Sequence, residues 1–179
     1  MKALITGASS GLGRDMAKYL SHLGWDLIIV ARREERLKEL QKTLKTDVKI
    51  INLDLGVEEN CYKLYEMTKK DNIDLLINNA GFGLFGLTTE TSLDRELEMI
   101  NLNIKAVHIL TKLFLQDFYQ KDQGQILNVA SSAGFLAGPR LNTYYATKNY
   151  VLKFTLAIYE ELRHQKSNVK VSCLCPGPV

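Results

Sequence analysis

Lys2-Ala3-Leu4-Ile5-Thr6-Gly7-Ala8-Ser9-Ser10-Gly11-Leu12-Gly13 opens the chain and decides how the rest is read. A short apolar run leads straight into a glycine-rich turn, and helical periodicity follows from Leu12. A strand–turn–helix of this kind leaves the first N–H groups of the helix unpaired and aims the positive end of its dipole at the turn, where a phosphate is favoured. Glycines permit the tight turn and let the backbone approach a pyrophosphate with no Cβ in the way. Glycines alone would mean only a turn; their place between strand and helix gives the stretch its meaning.

Outward from that unit the same alternation repeats. Strands are predicted at Lys2–Thr6, Asp26–Ala31, Val48–Leu53, Leu75–Asn78, Gln125–Val129 and Val169–Cys175. Most are continuous apolar runs, as strands covered on both faces should be. Helices are predicted near Leu12–Leu23, Glu34–Leu44, Glu58–Lys70, Leu93–Gln120 and Tyr144–Gln165. In the fourth, Leu97, Ile100, Ile104, Val107, Thr111 and Phe118 form a stripe expected to face the sheet; in the fifth, Val151, Phe154, Ile158 and Leu162 do. Ile109, Leu113, Phe114, Leu152 and Leu156 fall off those stripes, and an apolar second side predicts a homo-oligomer, a dimer or tetramer. The pattern is that of an α/β fold with a doubly wound parallel sheet. At 179 residues the chain reads as a single domain, 1–179, with no linker or repeat.

Composition excludes several classes. Lys and Arg number 23 against 20 Asp and Glu, and the resulting charge of +3 is dispersed, which argues against nucleic acid as a partner. The longest clean apolar run, Leu27 to Ala31, is far short of the ~20 residues that cross a bilayer, so no membrane span is expected. Met1 and Lys2 run directly into the first strand, which predicts no targeting segment and a cytoplasmic location. Cys61, Cys173 and Cys175 make no even disulfide framework and read as reduced thiols; His22, His108 and His164 are scattered, and no metal site is expected.

The glycine spacing, Gly7, Gly11 and Gly13, departs from G-x-G-x-x-G and resembles the nucleotide loop of the short-chain dehydrogenase/reductase family. Asp54 in Leu53-Asp54-Leu55, Asn78-Asn79-Ala80-Gly81, the Tyr144/Lys148 pair and the terminal Cys175-Pro176-Gly177-Pro178-Val179 resemble further motifs of that family, so the resemblance covers essentially the whole chain. It implies a Rossmann sheet of order 3-2-1-4-5-6. It also implies a nicotinamide dinucleotide held by Gly7, Ser9, Ser10, Gly11, Leu12, Gly13, Asp54, Leu55, Asn79, Ala80, Gly81, Tyr144, Lys148, Pro176 and Gly177. After the second strand, where a fold preferring NAD places an acidic residue on the ribose, this chain has Ala31-Arg32-Arg33. Arg32 and Arg33 can offer charge-assisted bonds to a 2′-phosphate, which favours NADP(H) over NAD(H).

Tyr144 and Lys148 stand at i and i+4 of a predicted helix and converge on one volume. An ammonium beside a phenol stabilises the phenolate, so the pair makes a general acid/base. Ser131, in Ala130-Ser131-Ser132-Ala133-Gly134, precedes Tyr144 by the interval the family uses between its Ser and Tyr, which favours it over Ser132. A hydroxyl there can donate to a substrate oxygen as charge develops. For Asn103, a polar residue beside the apolar stripe, the resemblance implies a helix interruption and a water linking Lys148 to solvent.

The implied activity is hydride transfer between NADP(H) and a small carbonyl or secondary alcohol, of the kind carried out by carbonyl, 3-oxoacyl and hydroxysteroid reductases. Phe82, Phe85, Phe135 and Leu141, in Gly83–Thr89 and Ala137–Asn142 and beside them, suggest an apolar approach to the reacting carbon. Family members continue past the Pro-Gly motif with a substrate-covering part that these residues do not include. Two expectations follow: cofactor binding that outlasts turnover, and a sixth-strand edge with Val169, Val171, Cys173 and Cys175 open to a neighbour. The rival reading is a non-catalytic nucleotide-binding or interaction module.

Overall fold

The computed structural model describes residues 1–177; Pro178 and Val179, the end of the expected Pro-Gly motif, lie outside them. Six parallel strands, β1 (Lys2–Thr6), β2 (Asp26–Ala31), β3 (Val48–Asn52), β4 (Leu75–Asn78), β5 (Gln125–Val129) and β6 (Lys170–Leu174), run in the order β3-β2-β1-β4-β5-β6. That is the expected doubly wound order. Ile5 aligns with Ile29 of β2 and Ile77 of β4, so the carboxyl ends of β1, β2 and β4 finish level with one another.

The apolar runs are continuous because both sheet faces are covered. Leu4, Ile28, Val30, Leu76 and Ile126 pack on one side with Cys61 and Leu64 of α3 (Glu58–Thr68), Phe114 of α5 (Val107–Lys121) and Ile158 of α6 (Asn142–His164). Ala3, Ile5, Leu27, Ile29 and Ile77 pack on the other with Ala17 of α1 (Gly11–His22) and Leu37 and Leu40 of α2 (Glu34–Gln41). Each buried Leu or Ile contributes roughly 1.5–3 kcal/mol of transfer free energy, so neither face can be bared without unfolding the sheet.

One predicted helix is broken. Instead of one rod over Leu93–Gln120, α4 (Leu93–Ile100) passes through a π-helical segment at Asn101–Ala106 before α5 begins. An extra residue in such a turn rotates the two halves relative to each other. The expected stripe is therefore split: Val107, Thr111 and Phe118 are buried, but Leu97 is 47% exposed and Met99 takes the inward place.

The off-stripe residues also differ from expectation. Ile109, Phe114 and Leu152 are buried in this chain's own core: the Phe114 ring meets Tyr65 of α3 edge-on at 5.3 Å, and Leu152 packs with Val107 of α5. Leu156 alone of the five is exposed, and Tyr159, also exposed, lies three residues on along α6. At the β6 edge Val169 and Val171 point inward and are buried, and Cys173 and Cys175 are half-buried, so the side chains expected to meet a neighbour belong to the interior. Among the described residues no helix is long and apolar enough to cross a membrane, and no cluster of three or more His, Cys, Asp or Glu is placed to hold a metal ion.

Candidate active site

The turn after β1 is tied to the backbone of β2. Gly7 and Ala8 N–H both donate to the Val30 carbonyl, and Gly7 takes φ +69°, a left-handed conformation that favours glycine. The Thr6 hydroxyl accepts from the N–H groups of Asn79 (3.0 Å) and Ala80 (3.1 Å), and the Asn79 amide donates back to the Thr6 and Gly7 carbonyls. The loop after β1 and the Asn79-Ala80-Gly81 segment after β4 are thus one unit. A Cβ at Gly13 would sit 2.5 Å from the Gly7 carbonyl oxygen and against the Asn79 amide. Backbone cannot give way there. Gly13→Ala should cost about 2–3 kcal/mol by forced overpacking, read as a lowered denaturation midpoint, and an unchanged midpoint would remove this close contact from the fold.

At the N-terminus of α1, Ser10 makes no capping bond and the first turn holds no acidic residue. The dipole end is left free for an anion. Arg33 lies over it, donating to the hydroxyls of Ser9 (3.0 Å) and Ser10 (2.9 Å). Arg32 faces the other way and stands 3.6 Å from the Asp54 carboxylate, which also accepts the Gly56 N–H at 3.0 Å. Both arginines are exposed at the mouth of the cleft. The residues present fit the adenosine and pyrophosphate end of a dinucleotide: an uncapped helix N-terminus, a wall with few side chains, and two cations where a ribose would lie.

The chemical end rests on α6 and the π-helical segment. Lys148 is 6% exposed, and its ammonium donates to the Val129 carbonyl at 2.9 Å. Burial lowers its pKa to about 8. Its nitrogen stands 5.8 Å from the Tyr144 ring centroid, as residues at i and i+4 on one helix face should. Gly83 packs against that ring; a Cβ there would touch it at 3.4 Å.

Ser131, two residues past β5, accepts the Ala133 N–H at 3.1 Å and lies 3.5 Å from the Pro176 carbonyl. Asn103 is buried in the π-helical segment. Its carboxamide oxygen accepts the Phe82 N–H, and its NH₂ donates to the Phe82 carbonyl (2.9 Å) and the Thr147 hydroxyl (3.0 Å). A Cβ on Gly81 would stand 2.9 Å from the Asn103 oxygen and 3.5 Å from the Lys148 nitrogen, so both groups crowd the same glycine.

One cleft of about 340 Å³ brings these together: Gly7, Ser9, Ser10, Gly11 and Leu12, then Arg32, Arg33, Asp54, Leu55 and Asn79–Gly81, then Ser131, Tyr144, Lys148, Pro176 and Gly177. Gly13 and Asn103 stand behind its walls. Ser131 lines it and Ser132 does not. Of the residues expected to form an apolar approach, Phe82 lines the cleft, whereas Phe85 and Phe135 are exposed beyond it. The two loops do meet, through a Gly86 N–H bond to the Arg140 carbonyl. Val129 and Thr147 had no signal in the sequence; one acts through its carbonyl, the other is an ordinary helical Thr.

The sequence model of the short chain dehydrogenase family matches residues 1–179. The chain belongs to this family of oxidoreductases. Among relatives of this short-chain dehydrogenase, an uncharacterized oxidoreductase of Staphylococcus epidermidis is 32% identical over 179 residues, which are 99% of this chain and 77% of the relative. A short-chain dehydrogenase from Sphingobium yanoikuyae, solved in complex with NADPH, superposes with a TM-score of 0.92 at 30% identity, covering 99% of this chain and 71% of the other. A short chain dehydrogenase/reductase from Burkholderia phymatum, solved in complex with NAD, gives 0.93 at 30% identity, covering 99% and 66%.

Proposed function

We propose that this short-chain dehydrogenase moves a hydride between NADP(H) and the carbonyl or secondary-alcohol carbon of a small molecule. The observation that carries the reading is that Ser131, Tyr144 and Lys148 share one cleft with an uncapped helix N-terminus and two arginines. Bound NADPH would supply the hydride for reduction. Tyr144 gives its hydroxyl proton to the substrate oxygen, and Ser131 donates a hydrogen bond to the same oxygen as negative charge gathers. Lys148 stabilises the phenolate left behind and holds the nicotinamide ribose. Its burial strengthens both effects, since little water screens the charge. Asn103 fixes the Phe82 backbone against α6 and completes the proton path from Lys148 to solvent. Assay of NADPH oxidation against a panel of aliphatic, aromatic and cyclic ketones tests the reading; tight NADPH binding with no turnover of any carbonyl would favour the non-catalytic module instead.

Cofactor choice follows from the charges at the mouth. Arg32 and Arg33 offer charge-assisted bonds to a 2′-phosphate, and no carboxylate stands at Ala31, where an acidic residue would repel it. Bonds of that type are worth roughly 1.5–3 kcal/mol, so NADPH should bind about 10- to 100-fold more tightly than NADH. Titration of both cofactors through Trp25 and tyrosine fluorescence measures the ratio. Arg32→Asp should narrow or invert it; equal affinities in the parent chain would sink the assignment. The exposed Leu156 and Tyr159 on α6 support a homo-oligomer, and three free thiols support the cytoplasm as its location.

A further inference from the structure

Two thiols that the proposed chemistry does not use lie side by side. Cys173 near the end of β6 and Cys175 just past it flank Leu174, and their side chains turn to the same side, with the sulfurs 3.9 Å apart. Both pack toward Val107, Ala130, Val151 and Leu152 in the seam between the sheet, α5 and α6, and both are only half-buried. Cys61, by contrast, is buried completely.

Trivalent arsenic is a three-coordinate pyramid, and bonding to both sulfurs draws them somewhat closer than the 3.9 Å found here, a small movement for two half-buried side chains already on one face. A direct disulfide is a poorer fit: it needs the sulfurs drawn in to ~2.05 Å between residues whose Cα atoms, two apart on an extended strand, stand at about the upper limit for bridging. Burial and the neighbouring thiol push Cys173 up to about 12, which keeps it protonated and slow toward oxidants that require thiolate.

We propose that Cys173 and Cys175 form a dithiol site that takes a trivalent arsenical, with one arsenic atom bonded to both sulfurs. The reaction consumes two thiols and an arsenic(III) oxide, R–As=O. Two As–S bonds form, the As=O bond breaks, and both thiol protons leave with that oxygen as one water, with no change in oxidation state. The site adjoins the cleft through Pro176, which follows Cys175 directly and whose carbonyl accepts the Ser132 N–H at 2.8 Å.

Incubation of the folded chain with phenylarsine oxide, followed by intact mass measurement, tests this. One phenylarsenic group per chain should be retained against excess 2-mercaptoethanol and released by 2,3-dimercaptopropanol, and peptide mapping should find it on the segment holding Cys173 and Cys175. Cys61→Ser should behave as the parent. Cys173→Ser and Cys175→Ser should each lose retention by about 10²-fold or more, because the second bond is then no longer intramolecular. No adduct on the folded parent chain, retention unchanged in either of these two variants, or an adduct that depends on Cys61 would overturn the proposal.

Discussion

Tyr144→Phe should leave the fold and NADPH affinity in place while lowering turnover of any accepted carbonyl by ~10²-fold or more. Among the described residues the Tyr144 hydroxyl makes no hydrogen bond to another protein group, whereas its ring is packed against Gly83 and edge-on to Tyr145. Deleting one oxygen therefore removes no structural contact, and the denaturation midpoint should move by less than ~0.5 kcal/mol, as for a surface substitution. What it removes is the one phenolic proton that faces the cleft within reach of Lys148. A hundredfold loss corresponds to about 2.7 kcal/mol of barrier, a normal share for general acid catalysis. Tyr145→Phe is the control: that ring packs against Gly138, and turnover should stay within about twofold. Near-normal turnover in Tyr144→Phe would take the residue out of the mechanism.

Much of the molecule was legible in the sequence because its signals are local. Each strand is a short apolar run between helical segments, and all six were placed within a residue or two at their ends. The site residues were legible for a related reason: the doubly wound order brings strand ends together, so motifs scattered along the chain must meet at one cleft. Three kinds of information were not local. The π-helical segment has no composition of its own; Asn101-Leu102-Asn103-Ile104 reads as helix, the interruption at Asn103 was implied only by the family resemblance, and the bonds of Asn103 to Phe82 and Thr147 show what the extra residue serves. Burial of Ile109, Phe114 and Leu152 depends on how α5 packs against its neighbours, Phe114 on Tyr65 of α3 and Val107 on Leu152 of α6, which no single-helix pattern encodes. Arg33 was placed near a phosphate, yet its bonds to Ser9 and Ser10 join residues 24 and 23 apart, and only the fold puts them within reach.

Lys148→Met should abolish most turnover and yet make the protein more stable. In the folded state burial holds the ammonium pKa near 8, against 10.5 for a free lysine, so folding must carry the desolvation of a charge. Below about pH 8 Lys148 is charged in both states and the folded state bears this cost in full. Between about 8 and 10.5 the folded state gives up its proton before the unfolded chain does, and stability contributed by this group rises with pH. Above 10.5 it is neutral in both and the cost is gone. The distance between 10.5 and about 8 converts to about 3 kcal/mol at neutral pH. Methionine fills nearly the same volume without the charge, but leaves the Val129 carbonyl without the Lys148 bond, which returns about 1 kcal/mol of the gain. Denaturant unfolding should therefore show Lys148→Met about 2 kcal/mol more stable than the parent at pH 7, with the difference shrinking or reversing near pH 10.5. Turnover should fall roughly 10³-fold, the scale for loss of a fixed charge at a developing oxyanion, and NADPH affinity should weaken less. A lysine kept for packing predicts the opposite pair of results, a destabilised chain with activity lost only in proportion to unfolding. Stability gained together with activity lost would mark Lys148 as a group whose buried charge is retained for chemistry.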